Sequence, residues 1–199
     1  MARRSDHSRE EIKDLALNAA KEIVAEQGFA NLSARKIASA IGYTVGTLYL
    51  VFKNLDDLIM QVNARTLEEL YQTVTQQTKI KNSEKKLHHF GQTYYKFAQQ
   101  NPHLWSLIFE HHLANNNELI PDLENHIAQL FNLIEHELET LAPAKKPAAI
   151  HSAALALWSG VHGITILAIS DKLFMAKNVT PEDMISELID NFLKGYLAK

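Results

Sequence analysis

Cysteine is absent from the 199 residues, glycine and proline number only seven and five, and neither charge sign dominates. Without thiols there is no disulfide framework, no thiol nucleophile and no zinc site built on thiolates. A Gly-rich phosphate cradle, a Gly-x-Ser-x-Gly nucleophile turn and a His-Glu-x-x-His zinc helix are all missing, so the sequence points away from an enzyme. No run alternates apolar and polar residues at the period of a strand. The net charge of −3 and pI near 6.4 argue against indiscriminate coating of nucleic acid, while leaving room for a local basic face. Met1-Ala2-Arg3-Arg4-Ser5-Asp6-His7 carries charge with no apolar run behind it. That start points to a chain without a signal peptide and to a cytoplasmic location.

What is present is ordinary for a globular protein: 46% hydrophobic and 22% charged residues. One stretch, residues 148–169, is long enough to span a bilayer, but His151, Ser152, Ser159, His162 and two glycines interrupt it. Its alanine content suits a helix between other helices, and no membrane partner is expected. Up to Val62 basic and acidic residues balance eight to eight, so the remainder carries the net negative charge.

Apolar residues recur at helical spacing throughout. Ile12, Leu15, Ala16, Ala19, Ala20, Ile23 and Val24 make one face, which Gly28 ends. Ser33 can cap a second helix with Ile37, Ala38 and Ile41 inward, ended by Gly42. Lys36 stands where a reciprocal capping box wants Glu or Gln, so Ser33 caps alone. Thr44 can cap a third helix through Phe52, and Asn54 a fourth, with Asp56 and Asp57 in its first turn and an end near Thr78. Longer helices follow: one opened by Ser83, one at Asn101-Pro102, one with the stripe Leu123, Ile127, Leu130, Ile134, Leu138 and Leu141, and the Ala-rich one. The last starts at Thr180-Pro181-Glu182-Asp183, with Ile185, Leu188, Ile189, Phe192 and Tyr196 on one face. Asn115-Asn116-Asn117 reads as a loop. The chain is predicted to be all-α: an N-terminal three-helix helix-turn-helix domain, 1–54, and a larger helical domain, 55–199.

Residues 28–59, GFANLSARKIASAIGYTVGTLYLVFKNLDDLI, carry a family resemblance. Gly28, the Ile37-Ala38 pair, Gly42, Gly46-Thr47-Leu48-Tyr49, Phe52 and Asp57-Leu58 resemble the DNA-binding domain of the tetracycline-repressor (TetR) family of bacterial regulators. Trp158-Ser159-Gly160-Val161-His162-Gly163 is similar to the Trp-His-Gly signature of one C-terminal subclass of that family.

A recognition helix places its first residues against base edges in the major groove. Here these are Tyr43, Thr44, Val45, Gly46, Thr47 and Tyr49, and none is Arg, Lys, Asn or Gln, so bidentate base contacts are missing. Thr44 and Thr47 can donate to base or phosphate, the methyls of Val45 and Thr44 can meet a thymine methyl, and Gly46 allows close backbone approach. Specificity is therefore expected to lean on apolar contacts, water and DNA shape. Ser33, Arg35, Lys36 and Lys53 are expected at phosphates, with Arg3 and Arg4 as an arm. The resemblance implies a phosphate contact for Tyr49. The family commonly has His where this chain has Val51 and Lys where it has Leu55. Fewer phosphates are therefore expected to be held, and each one fewer makes the salt dependence shallower by about 0.9 in slope.

The resemblance further implies a homodimer on a pseudo-palindromic double-stranded operator, with recognition helices about 34 Å apart. The expected interface is 148–169 with 182–197, where Ala153, Ala154, Ala156 and Gly160 allow close approach against the Ile185–Tyr196 stripe. It also implies a repressor released by a small-molecule effector, of apolar or amphipathic class if Phe90, Tyr94, Trp105, Phe109, Phe131, Trp158 and His162 line its site. No cofactor and no metal are expected. The adjacent pairs His88-His89 and His111-His112 point about 100° apart on a helix, which suits no single ion. Asn31-Leu32-Ser33 and Asn178-Val179-Thr180 match glycosylation acceptors but read as loop-to-cap segments. The alternative is a helical homodimer on the same scaffold that activates, or that has no role at DNA.

Overall fold

Most of the helices begin where a side chain accepts from an open amide. A computed structural model describes residues 7–76, 79–112, 118–173 and 178–198. Among these there are nine α-helices and no strand. Helix α1 (Arg9–Gln27) opens with a reciprocal capping box between Ser8 and Glu11, whose carboxyl those hydrogen bonds hold below its ordinary pKa. It ends at Gly28, φ +76°, a backbone conformation that L side chains avoid. A 3-10 turn, Phe29–Asn31, leads to α2 (Ala34–Ala40), where the Ser33 hydroxyl accepts from the Lys36 amide at 3.3 Å. Gly42, φ +74°, reverses the chain while the Tyr43 amide reaches back to the Ala38 carbonyl at 2.9 Å.

The third helix is shorter than its sequence predicts. Helix α3 covers only Val45–Leu48; the Leu50 and Val51 amides then bond three residues back, to Thr47 and Leu48, and a tight turn carries the chain to Phe52. Burial sets that geometry, because Leu48 and Phe52, 1% and 3% exposed, are both pulled inward. Each contributes about 1.5–3 kcal/mol by leaving water. Helix α4 (Leu55–Thr75) is capped by Asn54, which accepts from the Asp57 amide, and ends before Thr78, which lies outside the described residues. Asn115-Asn116-Asn117 lie outside them as well. Then come α5 (Ser83–Gln100), α6 (Pro102–Glu110), α7 (Pro121–Leu141), α8 (Pro147–Ile169) and α9 (Pro181–Leu197). Helix α5 opens at Ser83 as expected, with Asn82 accepting from the Lys85 amide as its cap. Thr180 and Asp183 form a second capping box at α9.

The chain forms two compact units, Met1–Leu67 with Asn101–Glu124 and Glu68–Gln100 with Asn125–Lys199. The first holds the helix-turn-helix. Its core joins Leu17, Ala20 and Val24 of α1 to Ile37, Leu48, Phe52, Leu58 and Val62, with Leu104 and Leu107 of α6. Arg65 on α4 ties back to Asp14 and Asn18 on α1.

In the second unit α5, α8 and α9 pack around Leu87, Leu157, Val161, Ile185, Ile189 and Leu193. Glycine permits close approach at two places. A Cβ on Gly91 would stand 3.0 Å from Ile185 Cγ2 and Ile189 Cδ1, and one on Gly160 would stand 2.7 Å from Leu188 Cδ2. The small residues Ala154 and Gly160 and the Ile185 stripe therefore meet within one protomer. Helix α8 is long and apolar enough to cross a membrane by length and composition alone, with mean hydropathy 1.6 over its most apolar window. Here it is a wall of this unit, with Ile150, Ala154, Leu157, Val161 and Thr165 buried.

Candidate functional site

On the outer side of α3, the polar groups are largely engaged with one another. The Thr44 hydroxyl caps α3 by accepting from the Thr47 amide at 3.3 Å, and lies 3.1 Å from the Thr47 hydroxyl. The Tyr43 hydroxyl is 2.8 Å from His7 Nδ1, with the two rings edge to face. The large side chains that stand outward are Tyr49, 47% exposed, and Leu50, 65% exposed; Thr44 is exposed as well, and Val45 is half-buried against the core. Gly46 is exposed, has an ordinary negative φ, and a Cβ there would meet only Thr44 Oγ1, at 3.6 Å, an ordinary contact. Among the described residues nothing requires glycine at that position.

Beside this segment lie the cations. Arg35, Lys36 and Lys53 are exposed and Ser33 is half-buried at its cap. The Lys36 ammonium donates to Gln27 Oε1 at 3.2 Å and Asn31 Oδ1 at 3.4 Å, neutral carbonyls that orient the charge without cancelling it. Asp57 Oδ2 accepts from the Lys53 amide at 2.8 Å, fixing the turn from which the Lys53 side chain leaves. Val51 and Leu55, the two departures from the family pattern, pack against the core of the first unit. Arg3 and Arg4 lie outside the described residues.

Four of the seven aromatic and histidine candidates for effector contact come together in the second unit. Tyr94 on α5 places its hydroxyl 2.8 Å from His162 Nδ1 on α8. The His162 ring stacks on Trp158 at 5.0 Å, and Phe131 of α7 meets Trp158 edge to face at 5.5 Å. Burial pushes the His162 pKa below its ordinary 6.5, so the ring is neutral at pH 7 and can take a hydrogen bond from the phenol. Phe90 packs against the core of the same unit. Trp105 and Phe109 belong to the other unit, on α6, with ring centroids 4.9 Å apart.

Most of the remaining histidines tie helices together. His88 Nε2 pairs with Asp190, His111 Nε2 with Asp56, each at 3.0 Å, and His89 with the Val74 carbonyl at 3.1 Å. Among the described residues no group of three His, Cys, Asp or Glu side chains converges as a metal site would. Two residues at the α3 surface were missed by sequence reasoning. His7 carries no sequence signal, because its partner Tyr43 is 36 residues away. Leu50 had one: with Leu48 and Phe52 inward, an apolar residue between them must face outward.

Two family models match the chain over separate segments. The family model for bacterial regulatory proteins of the tetR family matches residues 16–62, and that for the tetracyclin repressor-like C-terminal domain matches residues 87–192. No curated protein matches the chain. Among solved structures, a protein of unknown function from Rhodococcus sp. RHA1 is similar over 98% of both chains, at 16% identity and TM-score 0.76. The fatty acid degradation regulator FadR from Bacillus halodurans is similar at 17% identity and TM-score 0.68, over 92% of this chain and 98% of that one. BioQ, solved with its double-stranded DNA operator, is similar at 17% identity and TM-score 0.68, over 94% and 98%.

Proposed function

Because the chain belongs to the tetR family of bacterial regulatory proteins, with its tetracyclin repressor-like C-terminal domain, we propose that it is a homodimeric, cytoplasmic repressor released from a pseudo-palindromic operator by a small molecule. Residues 1–54 serve the DNA and residues 55–199 the effector and the partner subunit. The observation that carries this reading is the capped α3, with Thr44, Val45, Gly46, Thr47, Tyr49 and Leu50 at its outer side and Ser33, Arg35, Lys36, Tyr43 and Lys53 around them. BioQ, of similar fold, was solved on operator DNA, which supports the partner class.

Dimerisation rests on the uncovered side of α8. Only 22% of its most apolar window is buried within the chain. Leu155, Ile166 and Leu167, 38%, 41% and 42% exposed, share a stripe with Ser152, Ala156, Ser159 and Gly163. A second copy would cover that stripe. The effector contacts Phe90, Tyr94, Phe131, Trp158 and His162; aromatic walls and a neutral imidazole suit an apolar or amphipathic molecule. Trp105 and Phe109 remain candidates on α6. The ligand acts only through its differential affinity for the DNA-bound and free conformations.

Selection of bound duplexes from a random pool, followed by titration at several salt concentrations, tests the whole reading. One sequence class should emerge, bound by a dimer. Its salt slope should fall below the value expected for ten phosphate contacts per dimer, at about 0.9 for each. Binding without sequence selection, or a monomer at micromolar concentration, would refute it.

A further inference from the structure

An exposed leucine, Leu50, sits in the turn that follows α3. Leu50 is 65% exposed, the most exposed of the large apolar side chains among the described residues. Its neighbours Leu48 and Phe52 satisfy the core, and its amide is already bonded to the Thr47 carbonyl at 3.2 Å. Around it several hydrogen-bonding groups are already engaged within the chain: Tyr43 with His7, and Thr44 with Thr47. The segment therefore offers a partner the hydrocarbon of the Tyr49 ring and Leu50, with the part of half-buried Val45 left exposed. In the major groove one base alone offers hydrocarbon, thymine with its 5-methyl group.

We propose that Leu50 is a specificity-determining residue that packs on thymine methyls of the operator, with Val45 and the Tyr49 ring completing an apolar contact. This rests on the regulator reading above and extends it to how the base sequence is read. Cations nearby, Arg35, Lys36 and Lys53, hold the duplex without distinguishing bases. Apolar contact then supplies the discrimination that bidentate side chains supply elsewhere. It also exempts the segment from the desolvation cost that buried, imperfectly paired polar groups would incur.

The test uses the full-length dimer and the tightest duplex recovered from a random pool. That duplex is resynthesised with deoxyuridine in place of each thymine in turn, which deletes one methyl and leaves base pairing unchanged. At one or more thymines in each half-site, binding should weaken about fourfold per methyl, the equivalent of about 0.8 kcal/mol. Leu50→Ala should weaken binding to the thymine duplex about tenfold and abolish the preference over deoxyuridine at that position. Leu50→Met, still apolar, should keep the preference. Lys36→Gln should weaken both duplexes equally. Because Leu50 is exposed, the melting temperature of Leu50→Ala should match that of the parent, which separates weakened recognition from damage to the fold.

Selective binding that is indifferent to every thymine methyl, or a preference that survives Leu50→Ala, overturns this inference and leaves the regulator reading standing. A recovered site without thymine in its half-sites does the same. Failure to select any duplex overturns both.

Discussion

Gly46→Ala separates folding from recognition at a single atom. The added Cβ would meet only Thr44 Oγ1 at 3.6 Å, and the backbone φ there is one that alanine adopts freely. Alanine is the better helix former by about 0.8–1 kcal/mol in a helix interior, and somewhat less at this second position of α3. The variant should therefore be as stable as the parent or up to about 1 kcal/mol more so, a rise of roughly 2–4 °C in melting temperature for a chain of this size. Operator binding should move the other way. If the glycine is there for close approach of DNA, a methyl at that surface costs about 1–3 kcal/mol, as overpacking does in a core. That is a loss of roughly fivefold to 150-fold in affinity per protomer. Thermal melting and fluorescence anisotropy at one salt concentration read the two effects side by side. Gly28→Ala is the opposing control: φ is +76° and ψ 167° there, a region essentially reserved for glycine, so the substitution should lower stability by about 1–3 kcal/mol through backbone strain. A Gly46→Ala protein that binds its operator as tightly as the parent would refute the assignment of this surface to DNA.

Three further outcomes follow from the second unit. Lys86→Met strands Glu137, whose side chain is 4% exposed and pairs with the Lys86 ammonium at 2.7 Å. Urea denaturation should show a loss of about 3 kcal/mol, most of it regained in Lys86→Met/Glu137→Met, and no recovery would contradict the pairing argument. His162 has its pKa lowered by burial, so below about pH 6.5 the unfolded chain binds a proton that the folded chain resists. Its stabilising contribution is complete above that pH and fades as pH falls through the window beneath it. His162→Gln should flatten the fall in urea midpoint between pH 7.5 and 5.5, and an unchanged pH profile would sink the assignment. Leu155→Glu puts a carboxylate on each copy of the exposed α8 stripe; sedimentation should show a monomer of unchanged helix content, and a persistent dimer would place the interface elsewhere.

Local signals carried much of this protein. Ser33, Thr44, Asn54 and Thr180 each stand directly before a helix because their side-chain oxygens accept amide hydrogens three residues on, an interaction spanning a few ångströms. Gly28 and Gly42 end helices by a conformation available to glycine itself. The spacing of Leu48 and Phe52 identified their inward side equally well. Such features depend on neighbours within one helical turn, and linear order contains them.

Contacts between distant segments were decided elsewhere. That Tyr43 is held by His7, that Val51 and Leu55 join the core, and that Gly160 accommodates Leu188 within one protomer all depend on which segments meet. The same holds for Tyr94, Phe131, Trp158 and His162, which three different helices bring together while Trp105 and Phe109 go to another unit. Periodicity shows that a side chain points inward, but every inward face of an amphipathic helix looks alike. Which partner it finds depends on packing volume, and volume is matched only when the helices close on one another.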